Sequence, residues 1–321
     1  MSKRWMPPLA AVTALLVGLV FVVGGVRAAA QAPSGLERLL TAELDRMPAR
    51  AGIWVKHLGT GETAGVRATD TFNSASVIKL PVLALAFQMA ERGELSLDER
   101  VTIRREDIRG GSGIYRYHDP GLQPTFRDVL LQMVITSDNT ATDLAIAKVG
   151  GVAPVNAWIA AHGYAPGMKL TQTTGALFEK YRALDPSQTN EKTNHDRAYW
   201  LGELTPESTG RLLEAIYRAS EGAPSAIVNK TNGADMMRML RAQQAGARRL
   251  PHYLDVPVAH KTGDFPPVLA NDVGVILSDS GPIVVAFFLN EIAEPYGEAE
   301  DRMGAVARLI VDYFDGTGRR H

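Results

Sequence analysis

The sequence predicts an α+β fold: one antiparallel sheet built from strands at both ends of the chain, flanked by terminal helices, with an all-α block between them. Two observations carry this. Late in the chain, VPVAHKTG, NDVGVILSD and PIVVAFFLN are apolar, β-branched segments separated by turn residues, the pattern of consecutive strands. Early on, AGIWVKHLGTGETAGVRA reads as two strands around a Gly59-Thr60-Gly61 turn, and the region from Ser76 to about residue 224 has helical periodicity instead. Strands at both ends with helices between pack most simply as one sheet and a helical subdomain, which leaves a cleft where ligand sites tend to lie. The expected folded region is 36–316. Its sheet part covers about 36–75 and 225–316, and its helical subdomain about 76–224.

The elements follow in order. Leu36, Leu39, Leu40, Leu44 and Met47 form a helical stripe that stops at Pro48. A helix follows Ser76, with Val77, Leu80, Leu83, Ala84 and Phe87 at helical spacing and a stop at Gly93. Thr125 with Asp128 three residues on is a capping-box start, and Thr205 followed by Pro206 places proline at a first helical position. Glu221-Gly222-Ala223-Pro224 reads as a break. A last amphipathic helix carries Met303, Val306, Leu309, Ile310, Tyr313 and Phe314 on one side.

The N-terminus has its own logic. Lys3 and Arg4 precede an apolar stretch from Leu9 to Val26, then Ala28-Ala29-Ala30, the layout of a signal peptide over residues 1–30. The stretch is about as long as the shortest membrane spans, so an uncleaved anchor is the alternative. An exported chain is expected, periplasmic or extracellular, with membrane contact only through 1–30. The 321 residues hold no cysteine, so stability rests on the core alone. Lysine and arginine number 34 against 35 acidic residues, without a basic run, which argues against a nucleic-acid partner.

Three short motifs carry the chemistry. Ser76 and Lys79 stand three apart at the start of a predicted helix, on one face, and a lysine on an apolar helix is costly unless used. Ser137-Asp138-Asn139 lies between two predicted helices. Lys261-Thr262-Gly263 ends a predicted strand. A Ser-His-Asp elbow fails, because Gly110-Gly111-Ser112-Gly113-Ile114 lacks its final glycine. His118 beside Asp119 and His195 beside Asp196 lack a third ligand at useful spacing. Neither a metal nor an organic cofactor is implied.

Together and in this order the three motifs resemble those of the penicillin-recognising serine hydrolases, most closely class A β-lactamases. The resemblance covers roughly 36–316 and extends to SLDERVTI, GSGIYRYHDPGLQPTFRDVL, SDNTATDLAI and NDVGVI. It implies a β-lactamase/transpeptidase-like fold and a role for each residue. Ser76 is the nucleophile that forms an acyl-enzyme, Lys79 its base, and Ser137 the relay to the leaving nitrogen. Asn139 holds Lys79 and the substrate amide, while Lys261 and Thr262 bind the substrate carboxylate. Asp138 is structural. Gly263 permits close approach to substrate, the N–H groups of Ser76 and Asp264 form the oxyanion hole, and Tyr115 stands at the cleft mouth.

The chain departs from the family at three places. The family removes its acyl group with a glutamate in the loop after SDN, yet LTQTTGALF has no acid, and the first candidates further on are Glu179 and Glu191. Glu191, with Asn194 three residues on, is taken as the deacylating glutamate and Glu179 as the second choice. Asp264 puts a carboxylate where relatives carry a small or hydroxyl residue. Ala270 stands where some relatives place a carboxylate-binding arginine. The resemblance thus implies a secreted, monomeric serine hydrolase acting on a small-molecule β-lactam. The alternatives are a D,D-peptidase-like enzyme acting on a peptidoglycan peptide, with slow deacylation of β-lactams, and a non-catalytic peptidoglycan-binding protein.

Overall fold

Strands β6 (Val258–Phe265), β7 (Leu269–Ser278) and β8 (Gly281–Asn290) form a continuous antiparallel meander in the computed structural model, as their alternation and turn residues require. The first strand, β1 (Arg50–His57), adds antiparallel to β8 with Arg50 opposite Asn290, and β2 (Thr63–Val66) closes the edge. The sheet order is therefore β2-β1-β8-β7-β6, with both ends of the folded unit contributing. The structure describes residues 1–3, 5 and 34–318, so the expected signal segment falls almost wholly outside the described residues. The chain from Ser34 onward forms one compact unit.

Strand alternation sorts the sheet's side chains into two cores. Ile53, Val55, Ile283, Val285 and Phe287 face helix α1 (Gly35–Leu44) and the long C-terminal helix α10 (Tyr296–Gly318), whose Met303, Val306, Ile310 and Phe314 are buried there. In α1, Leu36, Leu40 and Leu44 are buried, but Leu39 is exposed and Met47 lies beyond the helix. The opposite sheet face, with Trp54, Val273, Val275, Val284, Ala286 and Phe288, joins the larger core shared with the central helices.

Those helices are α2 (Lys79–Glu91), α3 (Phe126–Ile135), α4 (Asn139–Lys148), α5 (Val152–Ala161), α6 (Thr174–Arg182), α7 (Thr189–His195), α8 (Pro206–Ser220) and α9 (Lys230–Arg241). Both start signals act as read: Asp128 N–H donates to Thr125 Oγ1 and Thr125 N–H donates back to Asp128, and Pro206 opens α8. Helix α8, placed by sequence in the helical subdomain, lies on the sheet, where Gly210 sits so close to Trp54 that a Cβ would meet its ring at 2.1 Å. A second, three-stranded sheet lies outside the sequence expectation. It runs β3 (Phe72–Asn73), β5 (Gly202–Leu204), β4 (Met168–Leu170), and ties the segment before Ser76 to the long loop after Ser137. Its strands hold two or three residues each, too few for alternation to show.

Candidate active site

Helix α2 explains the cost of Lys79. It is apolar all round, with every residue from Lys79 to Gln88 buried, so it is the central helix of the larger core. Ser76 lies just before it, in a 3-10 turn over Ala75–Ile78 instead of the α-helix expected from its spacing. The turn is clamped from behind by three buried asparagines. Asn73 Oδ1 accepts from Ala75 N–H at 3.1 Å, Asn271 Nδ2 donates to the Asn73 and Ser74 carbonyls, and Asn290 Oδ1 accepts from Asn73 N–H at 2.8 Å. Ala75 is held at φ 40° and Ser137 at φ 54°, left-handed conformations that cost a non-glycine residue on the order of 1 kcal/mol or more.

Two lysines converge on one hydroxyl. Lys79 Nζ donates to Ser137 Oγ at 3.1 Å, to Ser137 O at 2.7 Å and to Asn139 Oδ1 at 3.2 Å. Lys261 Nζ, reaching in from β6, donates to the same Ser137 Oγ at 3.0 Å and to Thr262 O at 2.8 Å. Both lysines are buried, Lys79 at 1% and Lys261 at 0% exposure. Burial pushes the Lys79 pKa well down from the usual lysine range, and the Lys261 charge pushes the same way. Burial also lowers Lys261, to about 8, against the opposing pull of Asp264 and Asp272. No hydrogen bond joins Ser76 Oγ to Lys79 Nζ among the described residues; catalytic contacts of this kind commonly tighten only around substrate.

Asp138 is structural. It caps α4 by accepting from Ala141 N–H at 2.9 Å and holds the 111–115 loop by accepting from Tyr115 N–H at 2.8 Å. Asn139 Nδ2 donates to Gly110 O at 3.0 Å, fixing which end of the amide faces Lys79. Gly263 also has a packing role. A Cβ there would come 2.5 Å from Ser74 O, so this glycine lets β6 pack against the nucleophile turn itself.

Three sequence expectations are placed elsewhere by the structure. Tyr115 is 4% exposed, with its hydroxyl 3.4 Å from Asp128 O, and is a core residue; Gly111 and Ser112 line the cleft in its stead. Glu191 is 73% exposed at the side chain and stands 3.8 Å from His195 Nε2, and Glu179 is 74% exposed beside Arg182. The reason is periodicity. Helix α6 turns Thr174, Leu177, Phe178 and Tyr181 to the cleft, which sends Glu179 to solvent. Among the described cleft-lining residues Asp264 is the only carboxylate.

Asp264 itself is occupied. Its carboxylate takes the guanidinium of Arg249, which is 3% exposed and also donates to Glu300 at 3.0 Å, Asn271 O at 2.9 Å and Tyr296 Oη at 3.0 Å. Sequence reasoning missed Arg249, which sits in an unremarkable GARRLPHY stretch and reaches the site only through the fold. Beside this pair, Thr262 Oγ1 is buried without a hydrogen-bond partner. A buried hydroxyl left unpaired is costly unless a ligand completes it.

The comparisons agree with this geometry. The family model described as "Beta-lactamase enzyme family" matches residues 35–314. Beta-lactamase L2 of Stenotrophomonas maltophilia is 27% identical over 291 residues, covering 88% of each chain. The crystal structure of a beta-lactamase from Sphaerobacter thermophilus superposes with TM-score 0.72 at 25% identity, over 88% of this chain and 96% of that one. The structure of PBP-A, at 22% identity, shares the fold with TM-score 0.73 over 88% and 97%. With Ser76, two buried lysines and the Ser137 hydroxyl assembled in that fold, and a family match running nearly from end to end of the compact unit, the chain belongs to the beta-lactamase enzyme family.

Proposed function

We propose that this protein is a serine β-lactamase of class A type, which opens the β-lactam amide through an acyl-enzyme on Ser76. The observation that carries the reading is the convergence of Lys79 and Lys261 on Ser137 Oγ, with Lys79 opening the helix that follows the Ser76 turn. With its pKa lowered, Lys79 supplies an unprotonated amine that takes the Ser76 proton as Oγ bonds to the carbonyl carbon. The oxyanion faces the N–H groups of Ser76 and Asp264. On collapse the C–N bond breaks. Ser137 Oγ gives its proton to the departing nitrogen and recovers from Lys79 the one taken from Ser76, so that net one proton passes from Ser76 to the nitrogen. Lys261 stays charged beside Ser137, facing the substrate carboxylate, and Thr262 Oγ1 gains its missing partner there. Export through residues 1–30, to the periplasm or outside the cell, belongs to the same proposal.

One observation supports a second reading. The cleft side of α6 is Thr174, Leu177, Phe178 and Tyr181, without an acid to activate the deacylating water. A penicillin-binding, peptidase-like enzyme with a long-lived acyl group fits this face. Time-resolved intact-mass spectrometry of the full chain with a penicillin tests both. The expected result is an adduct that maps to Ser76 and is missing from a folded Ser76→Ala variant. If it vanishes as the drug is consumed, the protein is a β-lactamase; if it persists, the second reading holds. Turnover by folded Ser76→Ala would sink both.

Asp264 makes a separate prediction. Its negative charge is the leading one holding Lys261 protonated, while its carboxylate neutralises Arg249. Asp264→Asn is expected to raise acylation by carboxylate-bearing β-lactams roughly tenfold near pH 7, since a like charge leaves the cleft. The alkaline fall in rate should move to lower pH. An unchanged rate and profile would show that the Arg249 pair screens Asp264 completely.

A further inference from the structure

A second cavity, of about 490 Å3, opens between the end of α5, helix α8 and the 224–227 loop. It shares no lining residue with the cleft beside Ser76. Helix α8 presents Arg211, Glu214 and Arg218 to it, three and four residues apart and so on one helix face. Glu214 is the only carboxylate among the described residues of the lining, and it is already neutralised. Lys56 Nζ donates to both its oxygens at 2.9 Å, and Arg218 Nε donates to one of them at 2.8 Å. Arg211 is exposed and has neither an ion pair nor a hydrogen bond among the described residues. Lys56, Arg211 and Arg218 against the one Glu214 leave two positive charges in excess.

Tyr164 supplies the second half of the site. It is 5% exposed, its ring stacks on Trp158 with centroids 6.0 Å apart, and its hydroxyl has no hydrogen-bond partner among the described residues. The charges that act on this hydroxyl are those of Arg211 and Glu214, so it points at the wall they form. Burial pushes it up to about 12, which keeps it a donor at neutral pH. A tyrosine buried this deeply ordinarily finds a partner. His162, also in the lining, is spent: its ring nitrogens face Trp158 O at 2.8 Å and Ala226 O at 3.2 Å. Pro224, Ala226 and Ile227 add an apolar rim. Unpaired donors and a twofold positive excess beside an apolar rim fit a doubly charged oxyanion on a small apolar body. A carboxylate brings a single charge, whereas a phosphate monoester carries nearly two and offers three strong acceptor oxygens, which a guanidinium can take in pairs.

We infer that the α5–α8 cavity is a binding site for a small phosphate monoester, whose phosphate takes Arg211 and the Tyr164 hydroxyl and whose apolar body lies along Pro224 and Ile227. The site is independent of the chemistry at Ser76. Trp158, one of four tryptophans in the chain, stacks on Tyr164, and its indole N–H reports on the cavity. The full chain is titrated with phenyl phosphate while the indole resonances are followed by nitrogen–proton NMR, with Trp158→Phe assigning the peak. The Trp158 resonance is expected to move and to saturate with a Kd below roughly 1 mM. Arg211→Gln should weaken this binding about tenfold, and Tyr164→Phe several-fold. Phenol, without the charge, and benzoate, with a single one, should bind about tenfold more weakly than phenyl phosphate. An unmoved Trp158 resonance overturns the inference, and so does undiminished affinity in Arg211→Gln or equal affinity for phenol or benzoate. Binding seen only beside Lys261, which would survive Arg211→Gln and leave the Trp158 resonance in place, overturns it as well.

Discussion

Lys79→Met is expected to slow acylation of Ser76 by roughly 10²–10⁴-fold, the range attributable to a positioned general base. The fold should survive with a comparatively small change in thermal stability, because two effects oppose. Methionine removes an amine whose charged form is strongly disfavoured by burial and by Lys261. It also leaves Ser137 O and Asn139 Oδ1 without their donor, at about 1–3 kcal/mol per buried acceptor. Adduct formation followed by intact mass, with thermal unfolding alongside, checks both halves. Acylation at the wild-type rate would move the base to another group. A variant that fails to fold would mean that the lysine holds the SDN loop together more than it serves chemistry.

The second large effect is in pH. Acylation should rise as Lys79 loses its proton, then fall as Lys261 loses its own at about 8, giving a bell with an alkaline limb near that value. Stability should follow a different course. Lys261 titrates at about 8 when folded and at its ordinary value near 10.5 when unfolded. Between these values the unfolded chain binds a proton the native one does not, so stability rises with pH across that window, by about 3 kcal/mol for this group alone. Above pH 10 the trend reverses. Burial raises the hydroxyls of Tyr164 and Tyr181 to about 12, so there the native state keeps protons that the unfolded state has lost. Denaturant unfolding between pH 7 and 11 should therefore show a maximum near pH 10, and Lys261→Met should flatten its acid side. A maximum near neutrality in the wild-type protein would contradict a buried Lys261.

The parts of this molecule legible in the sequence are those governed by short-range rules. Strands β6 to β8 alternate or run apolar between turn residues, Thr125 and Thr205 are local caps, and the three motifs bring their own spacing. Ser76, Lys79, Ser137, Asn139 and Lys261 could thus be named before any coordinates. What was not legible depends on pairs far apart in the chain. Arg249 meets Asp264 and Glu300 only because the chain segment before β6 packs beside the strand and the start of α10. The Asn73–Asn271–Asn290 clamp joins three elements, and no one of those asparagines has a local signature. Tyr115, placed at the cleft mouth by the family resemblance, is buried instead, because the loop held through its N–H to Asp138 folds the ring inward. No acid stands at the expected spacing, so Glu191 is only a substitute; the helix that carries it is short, and its side chain lies in water.

The pairing of β1 with β8 sets a timetable. The β1–β8 ladder, which sets Arg50 opposite Asn290, cannot form until β8 exists, and Lys261 cannot reach Ser137 before β6 has docked on a sheet whose other edge was made first. Such a non-local topology folds slowly, because a long loop must close before the contacts that reward it can form. A newly made chain therefore spends its early life without a finished sheet and without a working nucleophile. Activity should appear late and all at once during refolding, in step with closure of the β1–β8 ladder instead of with the earlier growth of helix.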